Sequence, residues 1–267
     1  MDGLDLTTDK MLASIENGVG TMVYNNPEKR NAVNQEMRLA VIDILKSFAD
    51  DPGVRVVVIT GAGGKAFVSG ADISEFDSKR STPEQIAEFG LVAKQVGDAY
   101  ANLGKPMIAM IQGYCLGGGL ITALNADIRI ATDDSQFGIP AARLGLGFGF
   151  DGVKSLTAVV GRSNAAEILY SAKQFSAGEA LAMGLVNRVV SDDVLEDTVS
   201  ELAEVIAKNA PLTLRSLNFN LRETAKDSAD RDMDRIRDLI DACMASEDYI
   251  EGRRAFMEKR KAVFKGR

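Results

Sequence analysis

Hydrophobic positions change period several times in the first quarter of the chain. Met11–Glu16 and Val19–Tyr24 flank Asn17-Gly18, a dipeptide suited to a tight hairpin turn, and predict two paired strands. A polar loop over 25–31 follows. Asn34 is placed to cap a helix, and Met37, Val41, Ile44, Leu45 and Phe48 recur at helical spacing until Asp51-Pro52-Gly53 stops it. Val54–Thr60 is then a run rich in β-branched residues, as expected of a strand buried on both faces.

Beyond Gly61-Ala62-Gly63-Gly64, the stretch Phe67–Ile73 carries too many small residues for a helix and reads as a shaped loop. Thr82-Pro83-Glu84-Gln85 supplies an N-cap hydroxyl, a proline at the first helical position and a Gln at the third, which predicts a helix to about Leu103. Met107–Gln112 reads as a strand running into Gly113-Tyr114-Cys115-Leu116-Gly117-Gly118-Gly119 and a helix through Asn125. Asp127–Ala131 and Leu185–Val190 read as further strands, and Ser163–Ala172 as a helix. From about Asp197 the pattern is helical, interrupted mainly at Pro211. The organisation is therefore an α/β core over 1–196 and a helical region over 197–267. Strand–strand–helix units recur without a repeat in the sequence itself.

Composition narrows the function. With 31 basic against 38 acidic residues the net charge is −7, which argues against a nucleic-acid partner. Hydrophobic residues at 46% and charged ones at 26% suit one folded core. The chain has no histidine, so Ser-His-Asp and Cys-His mechanisms and His-ligated zinc all drop out, and no metal site is expected. Proton transfer near neutral pH falls to a carboxylate, Lys, Tyr, Cys, water or the substrate. The two cysteines, Cys115 and Cys243, make a disulfide scaffold improbable, and Cys115 reads as structural filler. No run approaches the ~20 apolar residues of a membrane span. Met1–Asp5 is acidic and lacks the apolar stretch of a signal peptide, so a cytoplasmic location is expected.

The sharpest chemical feature is a strand feeding Gly117-Gly118-Gly119 at the start of a helix. Unpartnered N–H groups there can bind an anion or a developing oxyanion; the same glycines equally serve tight strand–helix packing. Gly61-Ala62-Gly63-Gly64-Lys65-Ala66 after a strand matches the dinucleotide pattern G-x-G-x-x-A, but no helix opens at those glycines. Asp77, the nearest acidic candidate, follows no strand.

Four stretches in order resemble the enoyl-CoA hydratase/isomerase (crotonase) family: 26–32 (Asn-Pro-Glu-Lys-Arg-Asn-Ala), 65–73, 113–119, and the C-terminal segment from Glu251-Gly252 to Gly266-Arg267. The resemblance implies a spiral of ββα units, a C-terminal helical trimerisation region, and a homotrimer or dimer of trimers. It also implies an acyl-CoA thioester as substrate, with no cofactor beyond the substrate's own coenzyme A. Its oxyanion hole, two backbone N–H groups, falls on Ala71 and Gly118. The segment Ser69, Gly70, Ala71, Asp72 and Ile73 would line the CoA pocket, and Arg30 and Ala32 would lie against the nucleotide. Ser74 stands where hydratases often carry a lysine.

The departures bear on the reaction. Where hydratases of the family carry two water-activating glutamates, this chain has Ile121 and Ala141. Asp151 is the substitute acid or base that the resemblance suggests, from a loop bordering the acyl pocket; its other reading is a helix N-cap. The basic tail, with Arg253, Arg254, Lys259, Arg260, Lys261, Lys265 and Arg267 against Glu258, reads as a solvated face or as attraction for an anionic ligand. The expectation is an acyl-CoA enzyme that stabilises a thioester enolate but hydrates weakly or not at all. Hydrolysis, decarboxylation or carbon–carbon cleavage would then be its reaction, and a non-catalytic acyl-CoA-binding protein is the alternative.

Overall fold

The computed structural model describes residues 6–75 and 81–267. Met1–Asp5 and Asp77 lie outside the described residues. The hairpin forms at the expected positions, β1 (Met11–Glu16) against β2 (Val19–Tyr24), antiparallel and with Glu16 opposite Val19. Helix α1 (Gln35–Asp50) starts where the sequence predicts, because the Asn34 side chain accepts from the Met37 N–H at 3.0 Å.

Three strand–strand–helix units follow. The first is β3 (Val56–Gly61), β4 (Ala66–Val68) and α2 (Pro83–Asn102), whose capping box joins Thr82 and Gln85 as the sequence implies. The second is β5 (Met107–Ile111), β6 (Tyr114–Leu116) and α3 (Gly118–Leu124); the third is β7 (Ile128–Thr132), β8 (Gln136–Gly138) and α4 (Phe150–Ser171). Then come β9 (Phe175–Ser176), α5 (Ala177–Ala182), β10 (Arg188–Val190) and α6 (Asp192–Ala207), followed by α7 (Pro211–Thr224), α8 (Met233–Met244) and α9 (Glu247–Met257).

The first strand of each unit joins one sheet, of order β1-β2-β3-β5-β7-β10, and the second strand joins another, of order β4-β6-β8-β9. Each unit thus advances both sheets by one parallel strand, the spiral expected from the resemblance. The large sheet is buried on both faces. Val57 and Ile59 pack with Met37, Ile44 and Phe48 of α1, while Val56 and Val58 meet Leu195, Val199 and Ala203 of α6.

Some elements differ from expectation. Within Phe67–Ile73 the loop starts only at Ser69; Phe67 and Val68 are fully buried strand residues. The strand placed at Leu185–Val190 keeps only its last three residues, and α4 extends well before Ser163 with a break at Gly161. Helicity toward the C-terminus begins at Asp192, before Asp197, because α6 covers the outer face of the large sheet. The tail returns to the core: Asp248, buried, accepts from the backbone N–H groups of Lys265 and Gly266 at 2.6 and 2.8 Å, and Arg55 donates to the Phe264 carbonyl at 2.9 Å. Among the described residues no helix is long and apolar enough to cross a membrane.

Candidate active site

The small sheet positions the site. Just beyond the carboxyl ends of β4, β6 and β8, the chain contributes Ser69, Gly70, Ala71 and Ile73, then Gly117 and Gly118, then Ile139, Pro140 and Ala141, all around one cavity of about 440 Å³. The far wall comes from α1 and α2, including Val41, Phe89 and Val96. Ligands commonly bind at such carboxyl ends of parallel strands.

Ala71 and Gly118 lie side by side in the wall of this cavity. Val33 donates to the Gly70 carbonyl at 2.8 Å, and Asp72 donates to the Val33 carbonyl at 3.0 Å, so this short stretch pairs as a parallel bridge. Backbone groups alternate sides in extended chain, which turns the Ala71 N–H away from Val33. Gly118 is the first residue of α3, whose N–H has no partner within the helix. A Cβ built on Gly118 would sit 3.8 Å from the Ala71 nitrogen, and among the described residues neither N–H meets a backbone acceptor. Two backbone donors therefore stand close together on the cavity wall.

Salt links hold the Ala71 loop from its other side. Lys29 Nζ lies 2.7 Å from Asp72 Oδ2 and 3.2 Å from Ser74 Oγ, and Ser74 also donates to Asp72 Oδ1 at 2.7 Å. Partial burial raises the Asp72 pKa, but the hydrogen bonds from Lys29 and Ser74 outweigh it and bring it down to about 2. Asp72 thus orders its loop and does not line the cavity. Arg30 and Ala32 lie outside the lining too: the Arg30 guanidinium sits 4.9 Å over the Tyr114 ring, and its carbonyl accepts from the Ser69 N–H. Between them Asn31, fully buried, donates to the Ala62 and Ala66 carbonyls at 2.9 and 2.7 Å.

Among the described residues no Asp or Glu lines the cavity. Ala141 is there. Ile121 turns toward Gly152 and the partly buried Phe148, packing against the core. Asp151 does not join Ala71 and Gly118; it is exposed in the first turn of α4 and outside the lining. Nor is it the N-cap, since α4 begins at Phe150 and Gly149 takes that place. Cys115 is fully buried, and burial pushes its thiol pKa well up, against thiolate chemistry.

Sequence reasoning missed three polar lining residues. Arg38 donates to the Val33 carbonyl at 3.0 Å and packs 4.6 Å over Phe89, with Glu75 at 3.8 Å. Thr122 donates to the Gly118 carbonyl at 3.0 Å. Tyr24 is buried with its hydroxyl 2.7 Å from that of Tyr100. The signal for Tyr24 was available: it is the last inward position of an alternating strand, where a phenol needs a partner.

The family model for enoyl-CoA hydratase/isomerase matches residues 14–267. A crotonyl-CoA hydratase of Syntrophomonas wolfei is 36% identical over 256 residues, covering 96% of this chain and 98% of that one. A carnitinyl-CoA dehydratase of Escherichia coli is 35% identical, covering 90% and 92%. The crystal structure of an enoyl-CoA hydratase/carnithine racemase from Magnetospirillum magneticum superposes with a TM-score of 0.92 at 32% identity, covering 100% of this chain and 99% of that one. Fold, chain coverage and identity agree, and the chain belongs to the enoyl-CoA hydratase/isomerase family.

Proposed function

We propose that this protein binds a coenzyme A thioester with its carbonyl oxygen between the Ala71 and Gly118 N–H groups and stabilises the enolate formed from it. The observation that carries this reading is the convergence of those two donors on a cavity walled mainly by apolar side chains. As charge moves onto the oxygen the two hydrogen bonds strengthen, and in a water-poor pocket one such donor is worth ~10²–10³ in rate. Ser69, Gly70 and Ile73 flank the donor at Ala71, where they would contact the pantetheine arm. Arg30 and Ala32, outside the cavity, are assigned to the nucleotide end of coenzyme A. A homotrimer or dimer of trimers is the assembly that goes with this reading.

Hydration is expected to be slow. A general acid or base contributes ~10²–10⁴ each, and among the described residues no carboxylate lines the cavity. Relatives named crotonyl-CoA hydratase and carnitinyl-CoA dehydratase point to short oxygenated or unsaturated acyl groups as the substrate range. Within it, hydrolysis, decarboxylation or carbon–carbon cleavage needs the oxyanion hole without the glutamate pair. The same want of a carboxylate favours, as a second reading, acyl-CoA binding without turnover.

The test is the purified protein with crotonyl-CoA, followed by loss of the conjugated enoyl thioester absorbance. Slow or absent hydration with retained CoA-thioester binding is the expected result. Rapid hydration would overturn the reading of Ile121 and Ala141, and failure to bind any CoA thioester would overturn the assignment of the cavity.

A further inference from the structure

The direction of the Ala71 N–H is set by the peptide it shares with Gly70. That peptide is trans and planar, so the Gly70 carbonyl and the Ala71 N–H point opposite ways. Val33 donates to the Gly70 carbonyl at 2.8 Å, which aims the Ala71 N–H away from Val33. Gly70 sits at φ +119°, a conformation that glycine adopts easily but holds weakly, so the peptide plane keeps its angle only while Val33 keeps its place.

Arg38 holds Val33 in that place. The Val33 carbonyl accepts twice, from the Asp72 N–H at 3.0 Å and from Arg38 Nη2 at 3.0 Å, so both of its lone pairs are used. The same guanidinium lies 3.8 Å from the Glu75 carboxylate and 4.6 Å over the Phe89 ring. Glu75 in turn accepts from the N–H of Gln35, the first residue of α1, at 3.1 Å. One planar cation therefore ties α1, α2 and the turn after Ala71 to a single carbonyl. The Arg38 side chain is only 11% exposed, whereas Lys29, which holds Asp72 from the other side, is 52% exposed, so solvent competes far less for the Arg38 links.

We propose that Arg38 is a positioning residue for the donor at Ala71: acting through the Val33 backbone, it fixes the plane of the Gly70–Ala71 peptide. Its part is to hold the donor, not to meet the thioester oxygen. Without the guanidinium the Val33 carbonyl keeps one donor of two, Val33 shifts, and the Ala71 N–H meets the oxygen at a poorer angle while the cavity itself stays formed. This assignment rests on the reading of the cavity as a thioester site with Ala71 as one of its two donors.

The experiment reads the bound carbonyl, by infrared difference spectroscopy of butyryl-CoA isotopically labelled at its thioester carbonyl carbon. Wild type, Arg38→Met, Arg38→Lys and Glu75→Gln are compared, each checked for fold by circular dichroism and for butyryl-CoA affinity by titration calorimetry. In the wild type the carbonyl stretch should move to lower frequency on binding, because hydrogen bonds to the oxygen weaken the C=O bond. Arg38→Met keeps an apolar chain against Phe89 and should lose most of that shift, while affinity falls by no more than about tenfold, the size of one hydrogen bond. Arg38→Lys should lose it as well, since an ammonium lacks the planar fork that serves Val33, Glu75 and Phe89 together. Glu75→Gln, which releases the guanidinium from its anchor, should shrink it too. A cation acting directly on the oxygen predicts the opposite for the last two: Arg38→Lys would keep the shift, and Glu75→Gln, by removing a nearby negative charge, would enlarge it. Either result would overturn the proposal, as would a full shift in Arg38→Met. Should Arg38→Met not fold, the other two variants decide by the same signs. Binding by the wild type with no carbonyl shift would overturn the oxyanion reading, and no binding by folded wild type would overturn the assignment of the cavity, each taking this inference with it.

Discussion

A Cβ built on Gly119 would lie 1.9 Å from the carbonyl oxygen of Val68. Helix α3 and strand β4 approach there backbone to backbone, one residue from Gly118 and three from Ala71. The neighbouring glycine is under no such constraint: the atoms nearest a Cβ on Gly118 are 3.8–4.0 Å away, ordinary van der Waals contact.

The two glycines should therefore separate by experiment. Gly119→Ala forces β4 and α3 apart and should lower stability by at least the ~1–3 kcal/mol of core overpacking, seen as a fall in Tm. Gly118→Ala should melt close to wild type, yet its methyl occupies the space between the two N–H groups. A loss of ~10² in kcat/KM on any thioester that is turned over is expected. Equal melting of both variants would mean that β4 and α3 have room to part.

The ion pair behind the Ala71 loop makes a pH prediction. Asp72 has a folded pKa of about 2, below the ~3.9 of an unfolded aspartate. A depressed carboxylate pKa contributes stability above the unfolded value, lost as pH falls from about 4 toward 2. With Lys29 half-exposed, solvent screening reduces the contribution to about 1–2 kcal/mol. Asp72→Asn should lower stability by that amount at pH 7 and by progressively less below pH 4, measured by urea denaturation at each pH. A constant difference across that range would mean that the charge of Asp72 is not what holds the loop.

What the sequence made legible is what local chemistry decides. Asn34 and Thr82 cap the helices they were assigned to, because a cap depends on residues two or three positions away. Strands β4, β6 and β8 escaped because three residues give no measurable period, and their strand character comes from pairing across long intervals. The Tyr24–Tyr100 pair spans 76 positions. Only the register of the large sheet and the packing of α2 bring it together. Ala71 and Gly118 entered through the resemblance, and the glycine run supported Gly118 independently. Nothing local in the sequence told that Asp151 would sit outside the cavity, since that depends on where α4 begins.

Cys115 offers a test of the core beneath the site. It is fully buried, with its thiol pKa raised mainly by burial and only partly offset by the Arg129 charge. Iodoacetamide should leave Cys115 unmodified in the native protein and label it only after denaturation, as read by peptide mass mapping. Cys243, partly exposed, is the thiol expected to react first. Native labelling of Cys115 at a rate like that of a free thiol would show that the β6 region opens readily.

Asp151 gives the last prediction. Its exposed position in the first turn of α4 lets the carboxylate meet the unpartnered N–H end of that helix, an interaction worth ~0.3–1 kcal/mol. Because the residue is absent from the cavity lining, Asp151→Asn should leave turnover and CoA-thioester affinity unchanged and lower Tm only slightly. A fall of ~10² or more in kcat with KM and Tm preserved would restore Asp151 as the acid or base. It would also require the first turn of α4 to swing inward when the thioester binds, so the same variant doubles as a probe of whether that turn is fixed.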